Sequence, residues 1–222
     1  MNPSLIGKKR VDNTAPVNNE SPVYILDNGV YKPAYLLNGS YPITGPIRLT
    51  GDGLAWEDLL CAVISVKLPG ISDPVYDSDN VGLLFSASQN NEIHITAQIK
   101  HRYKEGTSIY PHVHWEPKTN DSGNVRWTLD YKWTNLNAVE SGSYTSIEKI
   151  HAAAGTALTH QLASFPAITG TGKTISSILS IKLKRTGGTG GDTYGYQALL
   201  KYFDIHYQAD GFGSKSELAK DS

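Results

Sequence analysis

A single cysteine and a single methionine stand in a chain of 222 residues. One thiol cannot close an internal disulfide or anchor a multi-cysteine metal site, and Cys61, inside LLCAVISV, reads as a small buried apolar group. Long hydrophobic runs are also missing. The longest, Leu59 to Val66, falls far short of the roughly 20 residues that span a bilayer, so no membrane partner is expected. Nor is one sign of charge in excess: 20 basic against 21 acidic residues leave a net charge of −1, which predicts no nucleic-acid partner. The one basic run, Lys8 to Arg10, reads as solvated. MNPSLIGKKR has no apolar segment ahead of its charges, so no secretory signal is expected, and the chain is expected in an aqueous compartment. No repeat with a period of 20–50 residues is visible. A G-x-S-x-G nucleophile turn is absent as well.

What is present favours strands and turns. Thirteen tyrosines, 21 glycines and 11 prolines are the residues of pleated sheets and their connections. The clearest pattern runs from Tyr103 to Trp133. Ile109, Val113 and Trp115 alternate with Tyr110, His112, His114 and Glu116. Beyond the polar turn PKTNDSG, Val125, Trp127, Leu129, Tyr131 and Trp133 alternate with Arg126, Thr128, Asp130 and Lys132. The two arms predict one antiparallel hairpin with a tryptophan-rich inner face.

Other strands are predicted around it: Trp56 to Val66, Gly82 to Ser86, and EIHITAQIKHRY with Ile93, Ile95, Ala97 and Ile99 inward. They continue with Tyr144 to Ile150, Ile175 to Arg185, and YQALLKYFDIHYQ with Leu199, Phe203, Ile205 and Tyr207 on one face. HAAAGTALTHQLASF is the one candidate for a helix or a coil insert. About eight closely spaced strands without strand–helix alternation predict an all-β fold, an antiparallel β-sandwich or jelly roll over residues 54–213. Residues 1–53 are rich in Asn, Pro, Ser and Gly and predict an extended N-terminal arm that gains its order from neighbours. Its Tyr24, Tyr31, Tyr35 and Tyr41 are candidate interface residues, because tyrosine is enriched where one subunit lies across another. Residues 214–222 form a polar tail expected to fray.

WEDL (Trp56–Leu59), KEGTSIYPHVHW (Lys104–Trp115), GNVRW (Gly123–Trp127), GTGKTISS (Gly170–Ser177) and FDIHYQ (Phe203–Gln208) follow one another in order. Together these five blocks resemble a family of small uncharacterised structural proteins of tailed bacteriophages and prophages. The similarity covers residues 54 to about 215. It implies a virion component with a β-sandwich body, and neither enzymatic activity nor a cofactor is expected of the chain. Capsid decoration or cement is the expected role, and a neck, tail or fibre-base position is the alternative. Such a protein would form homo-oligomers, a trimer foremost, contact the major capsid protein, and be made in the host cytoplasm before joining the virion. A carbohydrate-binding module that meets a host-surface glycan is a further alternative.

Two motifs point to chemistry. His112 and His114, two apart on one strand face, fit part of the cupin metal pattern: Gly106 lies five residues before His112, and Gly123 follows Glu116 after six. One residue separates His114 from Glu116 where a cupin has three or four, and a second half is missing. His112 and His114 with Glu116 or His94 are therefore weak metal-ligand candidates, with cross-strand pairing as the simpler reading. Ala167 to Thr174 meets a relaxed phosphate-loop pattern, and Asp204 imitates its downstream acid. The preceding Phe165-Pro166 and the following alternating strand deny that motif its context, leaving a β-turn.

Overall fold

A computed structural model of the chain describes residues 49, 51–62 and 65–220, and the backbone of residues 23–27 and 30–34. The chain divides into two compact units, Met1–Gly45 and Pro46–Ser222. In the first, β1 (Val23–Asp27) pairs antiparallel with β2 (Val30–Ala34), Val23 opposite Ala34 and Asp27 opposite Val30. This hairpin lies within the stretch that composition marks as an extended arm. Tyr24 and Tyr31 fall on its two strands, whereas Tyr35 and Tyr41 lie outside the described residues.

The second unit is an antiparallel β-sandwich, and no α-helix occurs among the described residues. Its strands are β3 (Ala55–Ala62), β4 (Val75–Asp77), β5 (Gly82–Phe85), β6 (Asn90–Gln98), β7 (Tyr110–Pro117) and β8 (Asn124–Thr134). They continue with β9 (Thr145–Ala152), β10 (Gln161–Ser164), β11 (Ile178–Thr186) and β12 (Ala198–Ala209). One sheet of six strands runs β10-β7-β12-β5-β4, with β3 also paired to β12. The other, of four, runs β6-β11-β8-β9.

The predicted hairpin is therefore not one. β7 pairs with β10 and β12, while β8 pairs with β9 and β11 in the opposite sheet. The alternation was informative because an arch between sheets turns both apolar faces toward the same core, as a hairpin would. Gly123 ends the crossing at φ 144°, and a Cβ there would stand 2.7 Å from the Tyr194 Cα. Trp115 and Trp127 meet edge to face across the layers at 6.2 Å, and Phe85 stands on Trp127 at 5.2 Å. Each such aromatic buries on the order of 150–250 Å².

Ile93, Ile95, Ala97, Ile99, Leu179, Ile181 and Leu183 are buried in the core as their alternation predicts. β12 departs from it. The register shifts between Leu200 and Tyr202, leaving Lys201 as the extra residue of a bulge. Leu200 then joins Phe203 and Ile205 in the core cluster, while Leu199 is fully buried outside it. Beyond the bulge, Tyr202, Asp204 and His206 alternate with the buried Phe203, Ile205 and Tyr207 and take the outer face.

The candidate helix from His151 is instead the end of β9, a coil and β10. The predicted strand ends at Ala62 rather than Val66. The polar tail is docked through Lys220, whose buried Nζ donates to the Arg102 and Tyr103 carbonyls and pairs with Asp210.

Candidate functional site: a histidine–aspartate cluster on the outer face of the six-stranded sheet

Three neighbouring strands build the site. β7 and β12 run antiparallel with His112 opposite Asp204 and Tyr110 opposite His206, and β3 places Asp58 opposite His206 and Leu60 opposite Asp204. Period-two alternation sends Val113 and Trp115 inward and His112 and His114 outward. Beyond the bulge it does the same for Phe203 and Ile205 against Asp204 and His206.

Asp204 is the centre. Its Oδ1 lies 3.4 Å from His112 Nδ1, and its Oδ2 lies 3.3 Å from His114 Nε2 and 3.5 Å from His206 Nε2. The His112 and His206 rings stand edge to face with centroids 4.0 Å apart. His206 Nε2 also meets Asp58 Oδ1 at 2.9 Å. On the far side, His160 stacks on His114, and His114 Nδ1 and His160 Nε2 share one hydrogen bond of 2.8 Å, so one of these two nitrogens carries the proton.

Although they face outward, His112 and Asp204 are only 7% and 4% exposed. Burial opposes ionisation of Asp204, yet the polar contact with His112 and the nearby His114 and His206 outweigh it and hold its carboxyl below the usual carboxylate range. His112 Nδ1 and Asp204 Oδ1 have no hydrogen-bond partner. Two buried polar atoms left this way are uncommon in a folded protein.

The structure thus joins His112 and His114 but gives them partners other than those predicted. Glu116 projects from β7 opposite Leu199 and stays out of the cluster. His94 lies on the other sheet, where its Nε2 meets Glu92 at 2.6 Å. Asp204, His206, Asp58 and His160 were missed as companions. The signal was there for two of them: in FDIHYQ, Asp204 and His206 alternate with Phe203, Ile205 and Tyr207 as His112 and His114 do with Val113 and Trp115.

The phosphate-loop look-alike is the β-turn expected of it, closed by the Lys173 amide donating to the Gly170 carbonyl at 2.8 Å. A Cβ at Gly170 would lie 1.8 Å from the Thr107 carbonyl oxygen. Lys173 Nζ donates to the Trp133 carbonyl rather than facing an anion. Cys61 is buried, which pushes its thiol up to about 11 and makes it a poor nucleophile.

No family model and no curated protein matches the chain. Among solved structures it is similar to an arabinose-bound MgGH51 α-L-arabinofuranosidase, at 16% identity over 69% of this chain and 23% of that one, with a TM-score of 0.32. It is also similar to the CBM22-1–GH10 modules of Clostridium thermocellum endo-1,4-β-D-xylanase 10B complexed with xylohexaose, at 15% identity, 79% and 29% coverage, and a TM-score of 0.31. A third is TmCBM61 in complex with β-1,4-galactotriose, at 12% identity, 68% and 86% coverage, and a TM-score of 0.29. The chain thus spans less than a third of the first two proteins' length.

Proposed function

We propose that this chain is a non-enzymatic structural component of a tailed-bacteriophage virion, a capsid decoration or cement protein whose sandwich body seats one sheet face on a neighbouring subunit. The observation that carries this reading is the unequal finish of the two outer faces. On the four-stranded sheet, Lys184 bridges Asp130 and Glu92, Arg126 pairs with Glu148, and Lys132 pairs with Glu140; this face is mainly charged, with Ile150 and the lysine-covered Tyr144 as its exposed apolar side chains. On the six-stranded sheet, Trp56, Leu60, Leu162 and Tyr110 are 56%, 60%, 42% and 36% exposed around the histidine–aspartate cluster. Apolar side chains gathered on one face mark a contact surface. Three of the five blocks that carry the phage resemblance lie on β3, β7 and β12 of that face. A homo-trimer contacting the major capsid protein is the arrangement we favour.

The test is binding of the purified full chain to particles that lack it. Leu60→Glu and Leu162→Glu should fold with unchanged melting temperature but bind particles at least about tenfold more weakly, since a buried uncompensated charge is costly. Thr128→Glu on the opposite face should bind like the parent. Full incorporation of both face variants would sink the proposal.

A glycan-binding reading is favoured by one feature. Trp56 and Tyr110 form an exposed edge-to-face pair at 5.4 Å, the kind of amphipathic surface on which sugar rings stack. Binding on a glycan array that Trp56→Ala abolishes would support it, and an array without binding would remove it.

A further inference from the structure

We propose that His112, Asp204 and His206 form a divalent transition-metal site, with zinc as the ion their chemistry fits best, held by three protein ligands and one open position on the outer sheet face. The inference goes beyond the assembly role and is testable on the free protein.

The first argument is spacing. One ligand atom from each of the three side chains can be chosen so that all lie within 4.8 Å of one another. The approaches of 3.4 Å from His112 Nδ1 to Asp204 Oδ1 and 3.5 Å from His206 Nε2 to Asp204 Oδ2 are long for hydrogen bonds between such groups. Each is close to the edge of a zinc coordination shell, one at each Asp204 oxygen, so the carboxylate faces both imidazoles. Zinc–nitrogen and zinc–oxygen bonds of about 2.0–2.1 Å set tetrahedral edges of about 3.3–3.4 Å.

The second argument is satisfaction. His112 Nδ1 and Asp204 Oδ1 are buried, lie 3.4 Å apart and lack hydrogen-bond partners. A cation between them would use both lone pairs at once. In its place the fold has set a carboxylate among three imidazoles, a ligand set that suits zinc and other first-row divalent ions better than calcium or magnesium, which prefer oxygen alone.

The third argument is rigidity. His112 and Asp204 sit directly opposite on adjacent central strands, and His206 follows Asp204 by one outward step, so the ligands are placed by the ladder rather than by loops. His114, 3.3 Å from Asp204 Oδ2 and tied to His160, orients the carboxylate from the other side. Asp58 holds His206 Nε2 at 2.9 Å, and an ion would take that nitrogen over while keeping the Asp58 charge close. His206 is the most exposed of the three side chains, so water or a donor from a neighbouring subunit can complete the shell beside it.

The experiment titrates zinc, and cobalt(II) as its coloured substitute, into chelator-treated full-length protein by calorimetry and visible absorption. The expected result is one equivalent bound per chain, a ligand-field band of a four-coordinate cobalt site, and a zinc-dependent rise in melting temperature. His206→Gln, on a partly exposed side chain, and Asp204→Asn should each weaken binding by more than about tenfold, as losing a ligand does at least as much as losing a supporting residue. His94→Gln, on the other sheet, should bind as the parent does. If Asp204→Asn fails to fold, His206→Gln decides alone. Absence of saturable binding, or binding that survives in His206→Gln, overturns the assignment. Particle binding that persists in a zinc-free variant would separate this site from the assembly role.

Discussion

Arg185 shows how one residue can hold a loop that looks featureless in sequence. Its guanidinium is fully buried and uses all five donors: Nε and Nη2 grip the two Asp192 oxygens at 2.9 Å, Nη1 donates to the Phe85 and Tyr196 carbonyls, and Nη2 also reaches that of Tyr194. Asp192 Oδ2 further accepts the Arg126 amide at 3.0 Å. The pair therefore pins the glycine-rich segment after β11 against the sandwich. Replacing Asp192 by Ala strands a buried cation, and breaking such a pair costs about 3–5 kcal/mol. Urea unfolding of Asp192→Ala should show a stability loss of that size, read as a lower midpoint at unchanged slope. A loss below about 1 kcal/mol would mean that the five donors do not depend on their carboxylate.

At the scale of elements, the outer face of the four-stranded sheet makes an acid-labile ladder. Burial opposes ionisation of Glu92 and Asp130, but His94 and Lys184 on the first, and Lys184 and Ser146 on the second, leave both carboxyls below their ordinary range. A lowered carboxyl stabilises the fold above its unfolded pKa and loses that contribution as pH falls through the folded value. The melting temperature should therefore drop as pH is taken from about 5 toward 3, since unfolded Glu and Asp titrate near 4. Lys184→Met should flatten that fall, and an unchanged acid profile in this variant would exclude the ladder. How much of this was legible follows the same physics. Alternation showed which residues of β6, β7, β8 and β11 face the core, and those of β12 beyond its bulge, because period two is local. It could not show that β7 and β8 pair in different sheets, since a hairpin and an arch bury the same residues. Nor could it show the Lys201 bulge, which moves one residue out of register and so brings Asp204 and His206 beside His112. The β1–β2 hairpin carried its own unread signal, Asn28-Gly29 between two apolar runs.

For the whole molecule, the division after Gly45 separates the sandwich body from most of the stretch that composition marks as an extended arm. The core lies in the second unit, from Leu59 to Ala209. A chain beginning at Pro46 should therefore keep the melting temperature of the full protein to within a few degrees. It would retain the Leu49 amide bonded to the Asp210 carbonyl at 2.6 Å and the docked Lys220. In particle binding the truncation and the face variants divide the labour. If the arm and the six-stranded sheet face both contribute contacts, the truncation and Leu60→Glu should each weaken binding, and the double variant should lose it, because tethered contacts act at high effective concentration and neither suffices alone. Full binding of the truncation with loss only in Leu60→Glu would assign the whole joint to the sheet face. The reverse would assign it to the arm and leave the exposed Trp56 and Tyr110 free for a glycan.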